Sequence, residues 1–193
     1  MAIQGKAAFI DPNQFNELIS IVKSKSRNKL RDVCILELGY RTGMRSASLA
    51  SLRLDQVVNL KGEVLKRCVL ESSQVKGGSN YFVFLTHPRL IAALEEYLEV
   101  RPDSKGNNLF LTERGNGYSA HGMSELIGNL MKKAELTGAS GHSLRRSFCS
   151  NKLNAGADLP SLKVLMNHKS LSTTIIYCET DERRLEALVS GSD

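Results

Sequence analysis

A chain of 193 residues, 41 % apolar and 24 % charged, is long enough to enclose one well-filled core and too ordinary in composition for disorder to be the default. Its 26 Lys and Arg against 20 Asp and Glu leave a formal charge of +6, which favours anionic partners without naming one. No signal-peptide start and no apolar run of bilayer length is present, and Cys34, Cys68, Cys149 and Cys178 have neither zinc-ligand nor disulfide-framework spacing, so the expectation is a soluble cytoplasmic protein with reduced thiols.

Residues 1–10 read as a short N-terminal extension. Asp11-Pro12-Asn13-Gln14 is a helix start, with Asp11 as cap, Pro12 in the first turn and Gln14 at capping-box spacing; Phe15, Leu18, Ile19 and Val22 then recur at helical period. A basic link over 23–29 leads to a second helix with Leu30, Val33, Cys34, Leu36 and Tyr40 facing inward, which Gly39 to Gly43 is expected to break. A third, short helix is predicted from Arg45 to Leu52. Val64, Cys68, Val69 and Leu70, then Tyr81 to Phe84, are β-rich runs joined by the turn residues Gly77-Gly78-Ser79-Asn80, predicting an antiparallel sheet of two or three strands whose turn presents Lys76.

Pro88 opens a helix with Leu90, Ile91, Leu94, Tyr97 and Leu98 on one face and Glu95, Glu96 and Glu99 on the other. After a polar loop and the apolar run Leu109-Phe110-Leu111, Met123, Ile127, Leu130, Met131 and Ala134 mark an amphipathic helix within 119–136. Gly138 to Gly141 ends it and a basic helix runs from His142 to Asn154. Ala155-Gly156-Ala157-Asp158 is a stop, Pro160 starts a short helix through Met166, and Ser172 to Cys178 is read as a further helix.

The placement of charge says more than its sum. Acids are missing from Thr42 to Leu54 and from Ser72 to Leu94, and between Leu136 and Cys178 there is one, Asp158, among His142, Arg145, Arg146, Lys152, Lys163, His168 and Lys169. Acids crowd instead into 95–103 and 179–186, a segregation that fits one electropositive surface with acidic rims. Basic groups, two imidazoles and a phenol, Tyr177, in an acid-poor setting suit a phosphodiester.

Four separated segments then stand in a telling order. They are Thr42-Gly43-Met44-Arg45 with Ser48 to Leu54 and Val57, the hairpin bearing Lys76, His142-Ser143-Leu144-Arg145-Arg146, and Leu165-Met166-Asn167-His168 through Thr173 to Tyr177. One alone would carry little; together, in this order, they resemble the catalytic domain of the tyrosine recombinases, or phage integrases.

The resemblance implies a mainly α-helical domain over 11–178 with a small antiparallel sheet and a positively charged, DNA-facing cleft. It implies Arg45 and Arg145 as the catalytic arginines, Lys76 as the hairpin lysine, His142 as partner of Arg145, His168 as the second histidine and Tyr177 as nucleophile. Lys61 and Lys66 lie on neighbouring sheet segments, and Tyr40, Tyr81, Tyr97 and Tyr118 are the other phenols. Also implied are cleavage and rejoining of double-stranded DNA through a covalent 3′-phosphotyrosine with no metal or other cofactor, and a homo-tetramer on paired sites, with no membrane partner. The tail 179–193, with Leu185, Leu188 and Val189 at helical spacing, is then a candidate for packing on a neighbouring protomer.

The chemistry supports these roles on its own terms. A phenol with a pKa of about 10 is a weak nucleophile at neutral pH and needs a base or cation beside it. Two guanidinium forks can hold the nonbridging oxygens of a five-coordinate phosphorus where many nucleases use a metal. His142 can accept the phenolic proton or hold the phosphate, His168 can donate to another oxygen, and Lys76 can protonate the departing 5′-hydroxyl.

Two positions depart from the family pattern: Arg146, where histidine is frequent, and Asn167, where glycine is frequent. The ten residues before Asp11 leave no room for the core-binding domain most members carry, so the expectation is a catalytic fragment or a compact member like those that invert fimbrial switches, binding DNA weakly and with strong salt dependence. Three activities stay open: a site-specific recombinase of integrase or invertase type, a type IB topoisomerase-like enzyme without site choice, and a catalytically silent DNA-binding regulator.

Overall fold

The first helix begins where its capping residues dictate. In the computed structural model, which describes residues 7–75, 80–104, 106–170, 172, 174 and 190, α1 spans Pro12–Lys25. The Asp11 carboxylate accepts from the backbone N–H of Asn13 (2.8 Å) and Gln14 (2.9 Å), and the Gln14 side chain accepts from the Asp11 N–H (3.1 Å), so the helix's first donors are satisfied reciprocally. Phe15, Leu18 and Val22 are buried, and Phe15 stacks on Tyr40 with ring centroids 3.7 Å apart.

Tyr40 belongs to α2 (Lys29–Thr42), which is buried on every side from Arg31 to Tyr40 and is the central element, with α1 and α4 packed against it. Its charged residues are paired there: Arg31 with Asp32 (2.8 Å) and Arg41 with Glu37 (3.0 Å). Gly39 does not break the helix. The helix runs on to Thr42, and Gly43, at φ 67°, closes it in the left-handed conformation with its N–H on the Gly39 carbonyl (3.0 Å). A helical glycine costs about 1 kcal/mol against alanine. Here it makes room, because a Cβ on Gly39 would stand 2.7 Å from a Leu144 methyl.

The third helix, α3, is Ser46–Ser51, with Arg45 as its N-cap rather than its first residue. The sheet has two strands, β1 (Arg67–Leu70) and β2 (Tyr81–Phe84), antiparallel with Leu70 opposite Tyr81 and Arg67 opposite Phe84. Alternation turns Cys68, Leu70, Tyr81 and Val83 inward and leaves Val69, Phe82 and Phe84 outward. Of the two or three strands expected, two form; among the described residues Val58 and Val64 make only an isolated bridge ahead of them. The sequence gives no sign of the 3-10 turn Ser72–Gln74 that leads toward the hairpin tip, and the tip itself, 76–79, lies outside the described residues.

The helix α4 (Pro88–Val100) buries Leu90, Ala93, Leu94 and Tyr97, and α5 (Ala120–Lys133), capped by the Ser119 hydroxyl, buries Met123, Ile127, Leu130 and Met131 while packing on α3. Leu109, Phe110 and Leu111 are buried without forming a strand; the Leu109 N–H donates to the Leu52 carbonyl (2.7 Å). The helix α6 runs Gly141–Asn154.

Two compact units divide the chain, Met1–Phe148 and Cys149–Asp193. The first holds everything described so far up to the middle of α6. In the second, α7 (Leu159–Leu165) is capped by Asp158, whose carboxylate accepts from the Ser161 N–H (2.7 Å), and Leu153, Leu162 and Met166 are buried. That bond holds the Asp158 carboxyl below its ordinary value. The helix expected over 172–178 and the tail 179–193 lie outside the described residues except for 172, 174 and 190. Among the described residues no helix is long and apolar enough to cross a membrane.

Candidate active site

The turn between α2 and α3 is Thr42-Gly43-Met44-Arg45, and it is tightly held. The Thr42 hydroxyl donates back to the Leu38 carbonyl (2.5 Å), and Met44 is buried. This leaves the Gly43 carbonyl as acceptor for Arg145, which is only 3 % exposed and donates to it through Nη1 at 2.5 Å. A carbonyl acceptor orients a guanidinium without cancelling its charge. Arg45, half-buried, follows two residues later at the cap of α3.

The first turn of α6 comes close to this corner. A Cβ on Gly141 would stand 2.2 Å from the Ser46 Oγ, so the helix can lie this near only with glycine there or with the Ser46 hydroxyl turned away. Leu144, one turn on, fills the space left by Gly39. His142 and Arg45 adjoin the Gly141–Ser46 contact from either side; His142 is exposed and Arg145 is buried three residues later on the same face. Arg146, at the position where the family often has histidine, donates to the Ala7 carbonyl, and the next residue, Ser147, accepts the Ile10 N–H at 2.8 Å.

Tyr81 joins this neighbourhood from the sheet. Burial pushes its phenol up, against the opposing pull of the Arg145 and Arg45 guanidiniums and a hydrogen bond with Ser48. The phenol therefore stays protonated beside both arginines. Its place was not legible from the sequence, because which side of β2 faces inward depends on register.

In the second unit, His168 is buried and its Nδ1 lies 2.8 Å from the Thr174 hydroxyl, itself buried and three residues before Tyr177 in the chain. Asn167 has φ 46°, in the left-handed region that favours glycine and that asparagine tolerates better than most residues. The departure at this position therefore keeps the conformation that glycine would supply. The His168 N–H bonds the Lys163 carbonyl (3.0 Å), closing the turn after α7.

Of the predicted site residues, Arg45, His142 and Arg145 come together in the first unit and His168 stands in the second; Lys76 and Tyr177 lie outside the described residues. Among the described residues no three His, Cys, Asp or Glu side chains are grouped to hold a metal ion. Two of the buried thiols are not activated: burial pushes Cys34 well up and Cys68 to about 11.

Comparison with known proteins follows the same lines. Residues 8–184 match the model of the phage integrase family. Tyrosine recombinase XerC of Lactobacillus leichmannii is 34 % identical over 182 residues, 89 % of this chain and 59 % of that protein. XerC of Roseiflexus castenholzii is 31 % identical over 176 residues, 87 % of this chain and 54 % of that protein. The chain thus spans less than two thirds of the length of these relatives. Among solved structures, XerA recombinase superposes with a TM-score of 0.79 at 22 % identity, over 99 % of this chain and 65 % of that one. XerH site-specific recombinase bound to a palindromic difH substrate superposes with a TM-score of 0.76 at 21 % identity, over 97 % and 54 %. These likenesses establish the mainly helical fold with its small antiparallel sheet.

Proposed function

Since this chain belongs to the phage integrase family, we propose that it carries the strand-cleaving and rejoining activity of a site-specific tyrosine recombinase of integrase or invertase type. The observation that carries the reading is the corner at Gly43, where the buried Arg145 guanidinium is hung from a backbone carbonyl two residues before Arg45. Two cations at one corner, one of them anchored, suit a phosphodiester's two nonbridging oxygens, whose charge grows as phosphorus becomes five-coordinate.

In this reading the Tyr177 oxygen attacks phosphorus, its proton passes to His142 or to solvent, and the bond to the 5′-oxygen breaks as Lys76 protonates it. His168 donates to a nonbridging oxygen. The product is a 3′-phosphotyrosine and a free 5′-hydroxyl; the ester retains the bond energy, so the reverse attack reseals the strand without metal or ATP. Residues 11–178 form the catalytic domain, the protein acts on double-stranded DNA as a tetramer on paired sites, and the tail 179–193 packs on a neighbouring protomer.

The test is a suicide substrate, a duplex nicked so that the cleaved end diffuses away. The chain should form a covalent adduct with DNA of its own target site, and Tyr177→Phe should form none. An adduct that survives Tyr177→Phe defeats the assignment, relaxation of arbitrary supercoiled DNA favours the topoisomerase-like activity, and affinity without any adduct favours a regulator.

A further inference from the structure

Beneath the hairpin, two glutamines face each other. Gln56 Nε2 donates to Gln74 Oε1 (2.7 Å), and Gln74 Nε2 donates back to Gln56 Oε1 (3.0 Å). The remaining capacity of each amide is also used. Gln56 donates to the Val69 carbonyl (2.7 Å) and accepts the Arg53 N–H (3.0 Å). Gln74 donates to the Ser51 carbonyl (2.6 Å) and accepts the Glu71 N–H (3.0 Å). Both donors and both lone pairs of each amide are engaged, so turning either one over would set N–H against N–H and oxygen against oxygen.

The groups so joined are instructive. Val69 is in β1, Gln74 ends the 3-10 turn two residues before Lys76, and Ser51 is the last residue of the helix that Arg45 caps. A seventh bond, from the Ser48 hydroxyl to the Gln74 carbonyl (3.1 Å), ties the same turn to the middle of that helix. A surface hairpin needs no such anchorage to fold, and glutamine is seldom buried; Gln56 is 8 % exposed.

We propose that the Gln56–Gln74 pair is a positioning element for strand cleavage: it fastens the chain at Gln74, two residues before Lys76 in the sequence, to α3, the helix that Arg45 caps. This rests on the reading of Lys76 as the group that protonates the leaving oxygen. Neither glutamine touches the reacting atoms.

The test uses cleavage of two substrates, an ordinary phosphodiester and one with sulfur in place of the bridging 5′-oxygen, from which a thiolate departs without a proton. With Gln74→Leu the ordinary substrate should be cut about 10- to 100-fold more slowly, the scale of a misplaced catalytic group. The sulfur substrate should be cut at close to the parent rate. Gln74→Glu, which keeps both acceptor bonds but loses both donor bonds, to the Ser51 carbonyl and to Gln56 Oε1, should likewise slow the ordinary substrate and spare the sulfur one. DNA affinity and thermal melting identify a variant that has merely failed to fold, and Gln74→Glu then carries the comparison.

Equal slowing on both substrates, or none on either, overturns the proposal. A double-mutant cycle separates it from the reading beneath it. If Lys76→Ala is not rescued by sulfur, the proton-donor role of Lys76 fails. The positioning role still stands if Gln74→Leu costs nothing further once Lys76 is gone, and falls if the two losses multiply.

Discussion

The arginine corner and the histidine turn hold their functional groups by different means. At the corner, backbone does the holding: a left-handed glycine, a carbonyl aimed at Arg145, and a helix brought close by Gly39 and Gly141. At the turn, Asn167 bends the chain and a side chain, the Thr174 hydroxyl, meets the His168 ring. The difference follows from the chemistry each group performs in the proposed reaction. A guanidinium that stabilises developing charge must already be in place, whereas a single donor need only find one oxygen.

The comparison is tested most severely at Arg145. Lysine there keeps the charge but loses the fork that bonds Gly43 and, in the proposed reaction, the phosphate, and Arg145→Lys should reduce covalent adduct formation about 100- to 1000-fold with little change in DNA affinity. At the turn the effect should be smaller: Thr174→Val removes the hydroxyl that meets His168 Nδ1 at constant volume and should slow cleavage about tenfold, while Thr174→Ser restores it. Equal losses at the two places would erase the distinction between them.

Stability sharpens it further. Gly43→Ala forces a side chain onto φ 67° and should lower the unfolding free energy by about 1–2 kcal/mol, read as a shifted denaturant midpoint at constant slope. Tyr81 gives a pH signature for the corner alone. Its folded pKa is raised, so its contribution is complete below the unfolded value near 10 and is lost as pH climbs toward the higher folded value. Alkaline melting curves of the parent and Tyr81→Phe should therefore diverge only above that pH. The smallest effect belongs to Asn167→Gly, which keeps the left-handed turn and should change stability by no more than about 0.5 kcal/mol.

Local chemistry made much of this legible beforehand. The Asp11 cap, the apolar stripes of α1, α4 and α5, and the stop at Gly156 each depend on residues a few positions apart, and the structure has them where the spacing put them. Gly39 was misread because its neighbour across the packing, Leu144, is 105 positions away, and no local rule distinguishes a glycine that ends a helix from one that admits another helix. The strands were visible in composition, but their register was not, and with it went the inward turn of Tyr81. Gln56 and Gln74 lie eighteen positions apart with no local pattern that links them, and only folding brings them face to face. The family resemblance named arginines and histidines through sequence pattern, while the carbonyl that orients Arg145 has no side-chain signature at all.

Ile10 bears on where an autonomous folding piece could be cut. Its side chain is 1 % exposed, its N–H is held by Ser147, and its carbonyl accepts from the Tyr40 hydroxyl (3.3 Å). Trimming to the first helix cap would therefore pull a plug from the interior and unmoor the very helix that carries His142 and Arg145. The safe incision lies upstream of Ala7, whose carbonyl already engages Arg146.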